Sequence, residues 1–464
     1  MNYFEFDTNV SKKTRAMQQS AREFGMEVVR PAGIQLDKIQ DPADAIAEQS
    51  CLWDVFRKYR ELGFHKLLLP PAFGGKMGKV SAQARRLIFE QLGYADAGLA
   101  ISMDLSGMPF LLGTLSASKE VRDWARQYCQ DSEANMIGCW AITEPDHGTD
   151  WIMATTKAGA NPKVVPSLTA VKKGNEYILN GRKSASVTNG TIATHGVVHV
   201  GLDLSKGMHG SGLAICPFDL PGVSKGKPLD KLGKRPLNQG AIIFEDVKIP
   251  EKYMLLKIPG LFEANSIGKG IVGLANSQMG LVVSSQARAI VDETLNYAKE
   301  HSCNGSALSE QQEIRLKLFN MFKTAESARR FAHSVAEHSP LGDPNPIAKM
   351  FLAIRATFWA AGNSISLLQD RYDTYKDSKR IKAIVQKHKP GSGIIDWSIY
   401  GMASKVLATE TAFNLAREAI EIMGEDSLST DNPVEKMLRD ARTSMIEDGV
   451  NEALALAASE KLLA

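Results

Sequence analysis

The stretch Trp140-Ala141-Ile142-Thr143-Glu144-Pro145-Asp146-His147-Gly148-Thr149-Asp150 joins a short apolar segment to a polar turn that contains glycine. The apolar segment predicts a β-strand, and the residues after it predict the loop that leaves the strand. Such a loop can present hydroxyl and backbone N–H groups to a ligand from the edge of a rigid sheet. Taken alone, the stretch also fits an ordinary surface turn, so its meaning depends on the rest of the chain.

The composition limits the class of protein. The chain has 464 residues, 44% of them apolar and 23% charged, as is typical of a globular protein. The net charge is only +3 and no basic stripe carries interleaved aromatic residues, so we expect no nucleic-acid partner. The five scattered cysteines form no CxxC pair, and we expect neither disulfides nor a metal site. Without a signal-peptide pattern or an apolar run of membrane length, we expect a soluble, cytoplasmic protein.

The pattern of apolar residues changes twice along the chain. Residues 1–135 have apolar side chains at helical spacing, for example in the segment that ends at Gly63. Residues 136–255 have short apolar runs separated by Gly, Pro, Asn and Lys, which predicts a small antiparallel β-domain. Residues 256–464 return to helical spacing, with Gly424 just past the end of one helix, and predict a helical bundle.

A second group of polar turns follows the first. The predicted strand and turn Tyr177-Ile178-Leu179-Asn180-Gly181-Arg182-Lys183 lead to Val187-Thr188-Asn189-Gly190. The order Thr-Glu-Pro, Asn-Gly-x-Lys, Thr-Asn-Gly resembles the flavin-binding core of the acyl-CoA dehydrogenase family. The segment from Ala241 to Pro250 also matches this family, and the resemblance covers nearly the whole chain.

The resemblance implies an α+β fold of three domains. These are an N-terminal helical domain, a central small antiparallel β-barrel or sandwich domain that holds the flavin, and a C-terminal four-helix-type bundle. It also implies FAD as cofactor, an acyl-CoA thioester as substrate and an electron-transfer flavoprotein as electron acceptor. Family members form tetramers, so we expect a homotetramer or a heterotetramer with a paralogue.

The resemblance places the catalytic base near the C-terminus. In the family a carboxylate takes the α-proton of the thioester, and flavin N5 takes the β-hydride. The segment Ile446-Glu447-Asp448-Gly449 lies on the family's Ile-Tyr-Glu-Gly, whose Glu is the base, so Asp448 is the first candidate and Glu447 the second. An Asp carboxylate sits roughly 1 Å further back, and such a displacement can cost on the order of a hundredfold in rate. The alternative base position on the first bundle helix holds Ala275 and is discarded.

Other site residues are inferred by the same correspondence. Thr143 and Thr188 match the family threonines beside the isoalloxazine, and Ser186 stands where a Trp often packs. Thr149 takes the place of a Ser near the thioester. The remaining flavin-site candidates are Trp140, Ile142, His301, Asn304 and Gly424, and the remaining substrate-site candidates are Met103, Asp104, Asn276 and Gly449. Asp104 is either a second carboxylate near the substrate or an ordinary helix-start residue.

Several family positions are changed in a consistent way. His301 and Asn304 replace an Arg and a Phe that hold the flavin of a neighbouring subunit. Two acidic residues follow Gly424 in a turn that approaches the partner's cofactor, where they would repel a pyrophosphate. Asn276 replaces an Arg of the CoA passage. A partner paralogue that supplies these contacts, or a homo-oligomer with rebuilt contacts, would explain the pattern.

The sequence is therefore compatible with three functions, and with two roles for one insertion. The chain is an FAD-dependent acyl-CoA dehydrogenase, a structural or regulatory subunit with the same fold, or a monooxygenase or non-oxidative lyase on this fold. A Lys-rich insertion at about 370–397 is a solvated excursion, or else it contacts an acidic electron-transfer partner or a substrate phosphate.

Overall fold

The computed structural model describes residues 10–150, 163–257, 267–303, 305–339 and 397–463. Two predictions fall outside these ranges. Asn304 and the Lys-rich insertion, apart from Trp397 at its end, are not among the described residues.

Seven helices form the described N-terminal region. They are α1 (Lys12–Phe24), α2 (Arg30–Asp37), α3 (Cys51–Glu61), α4 (Ala82–Ala95), α5 (Ala97–Leu105), α6 (Met108–Gly113) and α7 (Lys119–Gln130). Polar side chains cap the first turns of several of these helices: Ser81 accepts from Ala84 N, and Asp96 accepts from Leu99 N. The predicted stop after α3 is confirmed, because Gly63 has a φ of 69°.

An eight-stranded, mostly antiparallel sheet follows, as predicted. Its strands are β1 (Gly138–Ala141), β2 (Thr169–Lys173), β3 (Glu176–Lys183), β4 (His195–Gly201), β5 (Ser211–Pro217), β6 (Val223–Pro228), β7 (Gly240–Pro250) and β8 (Met254–Leu256). The order is β6-β7-β3-β2-β4-β5-β8, and β1 pairs with β4. The β1–β4 and β2–β4 pairings are parallel, which the sequence pattern did not predict. A two-stranded ribbon, β9 (Ser302–Cys303) and β10 (Ser306–Ala307), lies further along the chain.

Five helices form the described C-terminal region. They are α8 (Ile267–Glu300), α9 (Gln312–His338), α10 (Trp397–Met423), α11 (Pro433–Ser444) and α12 (Asn451–Leu463). Close approach of α8 and α10 requires glycine, because a Cβ at Gly401 would lie 2.3 Å from the Gly273 carbonyl oxygen. Gly424 has a φ of 61° and follows α10, as predicted. None of the helices in the described ranges is long and apolar enough to cross a membrane.

A buried ion pair joins the two motifs that carry the family resemblance. Glu144 of the first motif accepts a hydrogen bond of 2.7 Å from Lys183 Nζ of the second, and both side chains are fully buried. Glu144 also accepts from Ser167 N, Ser167 Oγ and Leu168 N. Although burial acts in the opposite direction, the Lys183 charge and these donors hold the pKa of Glu144 below its ordinary value. The Glu of Thr-Glu-Pro and the Lys of Asn-Gly-x-Lys thus fix the two loops against each other.

We predict that the two partners of this pair contribute unequally to stability. In Lys183→Met the Glu144 carboxylate keeps its three donors from Ser167 and Leu168, whereas in Glu144→Gln the Lys183 ammonium loses the carboxylate that it faces. Losing one partner of a buried pair costs about 3–5 kcal/mol. Denaturant unfolding should show Glu144→Gln as the less stable variant. Adding Lys183→Met to Glu144→Gln should restore part of the loss, and a further loss would contradict the pairing.

Candidate active site

The loop that carries Asp448 is held in an unusual backbone conformation between α11 and α12. Asp448 has a φ of 52° and Gly449 a φ of 105°. Lys405 Nζ of α10 donates to the Gly449 carbonyl and to Asn451 Oδ1, both at 2.7 Å. Asn276 Nδ2 of α8 lies 3.4 Å from the Asp448 carbonyl oxygen. A left-handed Asp is costly unless its surroundings hold it, and two helices hold this one.

The surroundings of Asp448 combine access to water with a raised pKa. Its side chain is accessible to water. Nevertheless, protein atoms surround it closely, and the pKa of its carboxyl is raised, first by burial and then by the nearby Glu447 charge. The charges of Lys405 and Lys234 act in the opposite direction. A carboxylate that water can reach and whose pKa is raised is a candidate proton acceptor.

The second candidate, Glu447, lies in a different environment. Its Oε2 is 2.5 Å from Nζ of Lys234, a lysine that is fully buried. The other carboxylate oxygen, Oε1, is buried and has no hydrogen-bond partner among the described residues. The ion pair fixes the position of the Glu447 carboxylate. Of the two carboxylates, Asp448 is the one that is free to accept a proton.

The buried lysines are functional residues that the sequence analysis missed. Burial lowers the pKa of Lys405 to about 8, and the Asp448 charge acts in the opposite direction. Burial likewise lowers the pKa of Lys231 to about 8. The sequence pattern could have indicated Lys405, because this lysine falls on the same face of α10 as the buried residues Met402 and Ala412. A charged residue among buried apolar residues needs a polar partner, and the partners of Lys405 lie at Gly449 and Asn451.

The two predicted flavin-binding loops lie next to each other. The Ser184 amide donates to the Thr143 carbonyl at 2.9 Å, which joins the loop after β1 to the loop after β3. Gln239 donates to the Ser186 carbonyl at 3.0 Å, and its backbone pairs with Thr188. Lys231 Nζ donates to Gln239 Oε1 at 2.7 Å. A chain of polar contacts thus runs from these loops toward the segment that carries Lys234 and the Glu447 pair.

The polar groups of these loops fit a flavin. Thr143 and Thr188 are half-buried, and neither hydroxyl is bonded to another residue in the described part of the chain. Other groups are already engaged: the Ile142 carbonyl accepts from Lys183 at 3.1 Å, and the Asn189 amide donates to Asn238 at 2.7 Å. Two unengaged hydroxyls at the mouth of a sheet can hydrogen-bond the polar edge of an isoalloxazine.

The remaining predicted flavin-site residues occupy three kinds of position. Trp140 is half-buried, and its indole N–H donates to His199 Nε2 at 2.7 Å, so its ring is fixed. Ser186 is exposed, and its hydroxyl bonds to Ser184. Thr149 is half-buried in the turn after β1.

His301 and the turn at Gly424 meet at one end of the helical bundle. The His301 ring stacks on Tyr297 at 3.8 Å between centroids, and the Tyr297 hydroxyl donates to Asp426 Oδ2 at 2.7 Å. Burial and the Asp426 carboxylate raise the pKa of Tyr297 to about 12. His301 and Asp426 are exposed. The two changes predicted to affect a neighbouring subunit therefore form one surface patch.

The substrate-site candidates lie on α5, on α8 and in the Asp448 loop. Met103 is 1% exposed and packs in the N-terminal helical core, so it is not on the accessible face. Asp104 is on that face, and burial raises the pKa of its carboxyl to about 7, with a hydrogen bond from Gln278 acting in the opposite direction. Asn276 is fully buried, with its Oδ1 unpartnered among the described residues. Gly449 is the residue whose carbonyl binds Lys405.

Several residues on α5, α6 and α8 are half-buried. They recur at helical spacing, between neighbours that are buried. They are Ile101, Asp104, Leu105, Met108, Leu274, Ala275 and Gln278. Ile101 packs against both helical cores and Met108 against the sheet core, so these residues lie where the three parts of the fold meet. No group of three or more metal-binding side chains occurs in the ranges that the structure describes.

Comparison with known proteins agrees with this geometry. Models of the N-terminal, middle and C-terminal domains of acyl-CoA dehydrogenases match residues 11–123, 139–247, and 274–365 with 384–463. A short-chain specific acyl-CoA dehydrogenase of Rattus norvegicus is 27% identical over 452 residues, 96% of this chain and 89% of the relative. A cyclohex-1-ene-1-carbonyl-CoA dehydrogenase of Geobacter metallireducens is 26% identical over 420 residues, 88% of this chain and 89% of the relative.

A solved structure shows the same fold. An acyl-CoA dehydrogenase of Bacillus anthracis complexed with FAD superposes with a TM-score of 0.73 at 20% identity, over 98% of this chain and 67% of that one. Together, the three domain matches and the arrangement of helices, sheet and helices show that this chain belongs to the acyl-CoA dehydrogenase family, whose members are FAD-dependent oxidoreductases that act on acyl-CoA.

Proposed function

We propose that this chain binds FAD and dehydrogenates an acyl-CoA, with Asp448 as the base that removes the α-proton. The observation that carries the proposal is the combination found at Asp448. Its carboxylate is accessible, has a raised pKa and has no ion-pair partner among the described residues, and two helices hold its loop. A short or cyclic acyl group is the proposed substrate, since the two relatives are named for these classes.

Residues of this chain would hold the cofactor and the thioester. Thr143 and Thr188 would hydrogen-bond the isoalloxazine, Trp140 and Ser186 would lie beside it, and Thr149 would lie near the thioester. When bound, FAD supplies the acceptor for the hydride that leaves the β-carbon. The polar contacts through Gln239 and Lys231 fix the loops of Thr188 and Ser186 relative to each other.

Proton removal is then the task of the Asp448 loop. The thioester acidifies the α-carbon, and two conditions apply to Asp448. Its pKa must be high enough for it to take the proton, and its carboxyl must still be charged before the reaction. Burial supplies the first condition, and the Lys405 and Lys234 charges supply the second. The hydrogen bonds from Lys405 hold the loop, which limits displacement of the carboxylate.

A second candidate function is that of a partner subunit. The observation that favours it is the patch of exposed His301 and Asp426 around the half-buried Tyr297, where the family resemblance implies contacts to the cofactor of another chain. Its acidic groups do not suit a pyrophosphate. A paralogue with complementary residues could then complete the flavin site across the interface. In either assembly, an electron-transfer flavoprotein is the proposed electron acceptor.

We predict that Asp448→Asn abolishes reduction of the bound flavin by acyl-CoA. Loss of the base should slow anaerobic bleaching of the flavin absorbance by at least about a hundredfold, while the flavin stays bound. Glu447→Gln is the matched control, because that carboxylate is already paired with Lys234, and it should still bleach. If Asp448→Asn still bleaches at the parent rate, or if only Glu447→Gln loses bleaching, Asp448 is not the base.

We predict opposite pH shifts from two neighbours of Asp448. The rate of flavin reduction should fall as pH drops through the pKa of Asp448, because only the carboxylate accepts a proton. Lys405→Met removes a charge that lowers this pKa, so the acid limb of the pH–rate profile should move to higher pH. Glu447→Gln removes a charge that raises the pKa, so the limb should move to lower pH. Lys231→Met is the control and should leave the midpoint in place; equal midpoints in all variants would contradict this electrostatic account.

We predict that the native mass decides between the two assemblies. The chain expressed alone should form a yellow homotetramer with bound flavin if its own residues complete the site. Size-exclusion chromatography with light scattering and flavin absorbance measures both properties. A colourless or smaller species that becomes yellow on addition of a paralogue would favour the partner-subunit function.

A further inference from the structure

A cavity of about 600 Å³ lies between α7 and one end of the sheet. Four of its lining residues are aromatic, namely Trp124, His195, Phe218 and Tyr253. The Trp124 ring meets the rings of His195 and Tyr253 edge to face, in both cases with 5.0 Å between centroids, and these contacts hold it in place. A cavity of this size with aromatic walls is typical of a site for a small organic molecule.

This cavity is distinct from the predicted flavin-binding loop after β1. The strands β1 and β4 are parallel, with Gly138 opposite His195 and Ala141 opposite Val198. His195 therefore lies where this strand pair begins, whereas Thr143 follows its end. Three residues of extended strand separate the two ends by about 10 Å. None of the residues that the sequence analysis assigned to flavin or substrate lines the cavity.

The cavity contains a carboxylate without a cationic partner. Asp219 is exposed and forms no ion pair with any described residue, whereas the other lining carboxylate, Glu120, binds both Lys252 and the Tyr253 hydroxyl. Burial lowers the pKa of His195 to about 4, so its ring is neutral at neutral pH. The Asp219 charge acts in the opposite direction on this pKa, as expected for a carboxylate that faces the same cavity.

Lys225 of β6 brings the opposite charge to the lining. Its Nζ donates to the Ala193 carbonyl at 2.6 Å, and it forms no ion pair with a described carboxylate. Burial lowers the pKa of Lys225, as expected for an ammonium that has lost water without gaining a carboxylate partner.

Asp219 and Lys225 thus line one cavity without pairing with each other. A ligand that is only a cation would be repelled by Lys225, and a ligand that is only an anion would be repelled by Asp219. A ligand that carries both charges on one apolar body gives each of these groups an opposite charge.

We propose that this cavity binds a small zwitterion with an aromatic ring, of which an aromatic amino acid is the simplest example. The ammonium group of the ligand pairs with Asp219, and its carboxylate group pairs with Lys225. Its ring packs among Trp124, Phe218 and Tyr253. The site goes beyond the proposed function and does not depend on it, because the cavity shares no residue with the flavin and substrate candidates.

Four probes separate the contributions of the two charges and the ring. L-phenylalanine has all three groups, phenethylamine lacks the carboxylate, 3-phenylpropionate lacks the ammonium, and L-alanine lacks the ring. Dissociation constants are measured by calorimetry on the full-length protein as purified. L-phenylalanine should bind at least about tenfold tighter than each of the other three, because each of them loses one favourable contact.

Variants at the two charged residues should alter this preference in a crossed pattern. Asp219→Asn should reduce the affinity for L-phenylalanine to that for 3-phenylpropionate, which should itself bind tighter because a repulsion is removed. Lys225→Gln, which keeps a donor for the Ala193 carbonyl, should reduce the affinity for L-phenylalanine to that for phenethylamine and should tighten phenethylamine. Both replaced side chains are exposed, so thermal unfolding should match that of the parent.

Lys227→Gln is the matched control, because Lys227 lies on the same strand but outside the lining, and it should leave all four dissociation constants unchanged. Absence of L-phenylalanine binding, or equal affinities for L-phenylalanine and the two singly charged probes, overturns the site. A preference for L-phenylalanine that persists in both Asp219→Asn and Lys225→Gln overturns it as well.

Discussion

The contact between Lys405 and the loop at Asp448 is the interaction on which the candidate site depends. A lysine buried in the middle of α10 donates to the Gly449 carbonyl and to Asn451, and it thereby holds two successive residues with positive φ. The same ammonium opposes the rise in the pKa of Asp448 that burial produces. One side chain thus fixes both where the carboxylate lies and how readily it ionises. A neutral residue of the same length would do neither.

Residues of the sheet region and of the C-terminal helices meet around that loop, and the sheet region in turn contacts the N-terminal helices. Asn276 reaches the Asp448 backbone from α8, and Lys234 reaches Glu447 from the segment after β6. Asn189 connects the sheet to α5, because its side chain bonds to Ser102 and to the Gly138 carbonyl. The site is therefore composed of residues from each domain, and none of the domains contains it alone. A change in the packing of one domain should alter the geometry of the others' residues.

The sequence allowed much of the fold to be predicted and less of the site. Strands such as β4 and β5 and the helix ends at Gly63 and Gly424 follow from local patterns, which act over a few residues. The Glu144–Lys183 and Lys234–Glu447 pairs join segments that are distant in sequence, and nothing local specifies them. Met103 shows a related limit: it belongs to the same helix as Asp104, but only the packing of α5 reveals which of the two lies on the accessible face.

The central claim is that Asp448 is a carboxyl whose pKa is raised by burial and restrained by Lys405. Infrared difference spectra between the parent protein and Asp448→Asn, recorded over a pH series, would isolate the C=O band of this one group. We expect that band to titrate above the ordinary pKa of an Asp side chain, and its midpoint to rise further when Lys405 is replaced by Met. A midpoint at the ordinary value that does not move with the Lys405 replacement would contradict the account.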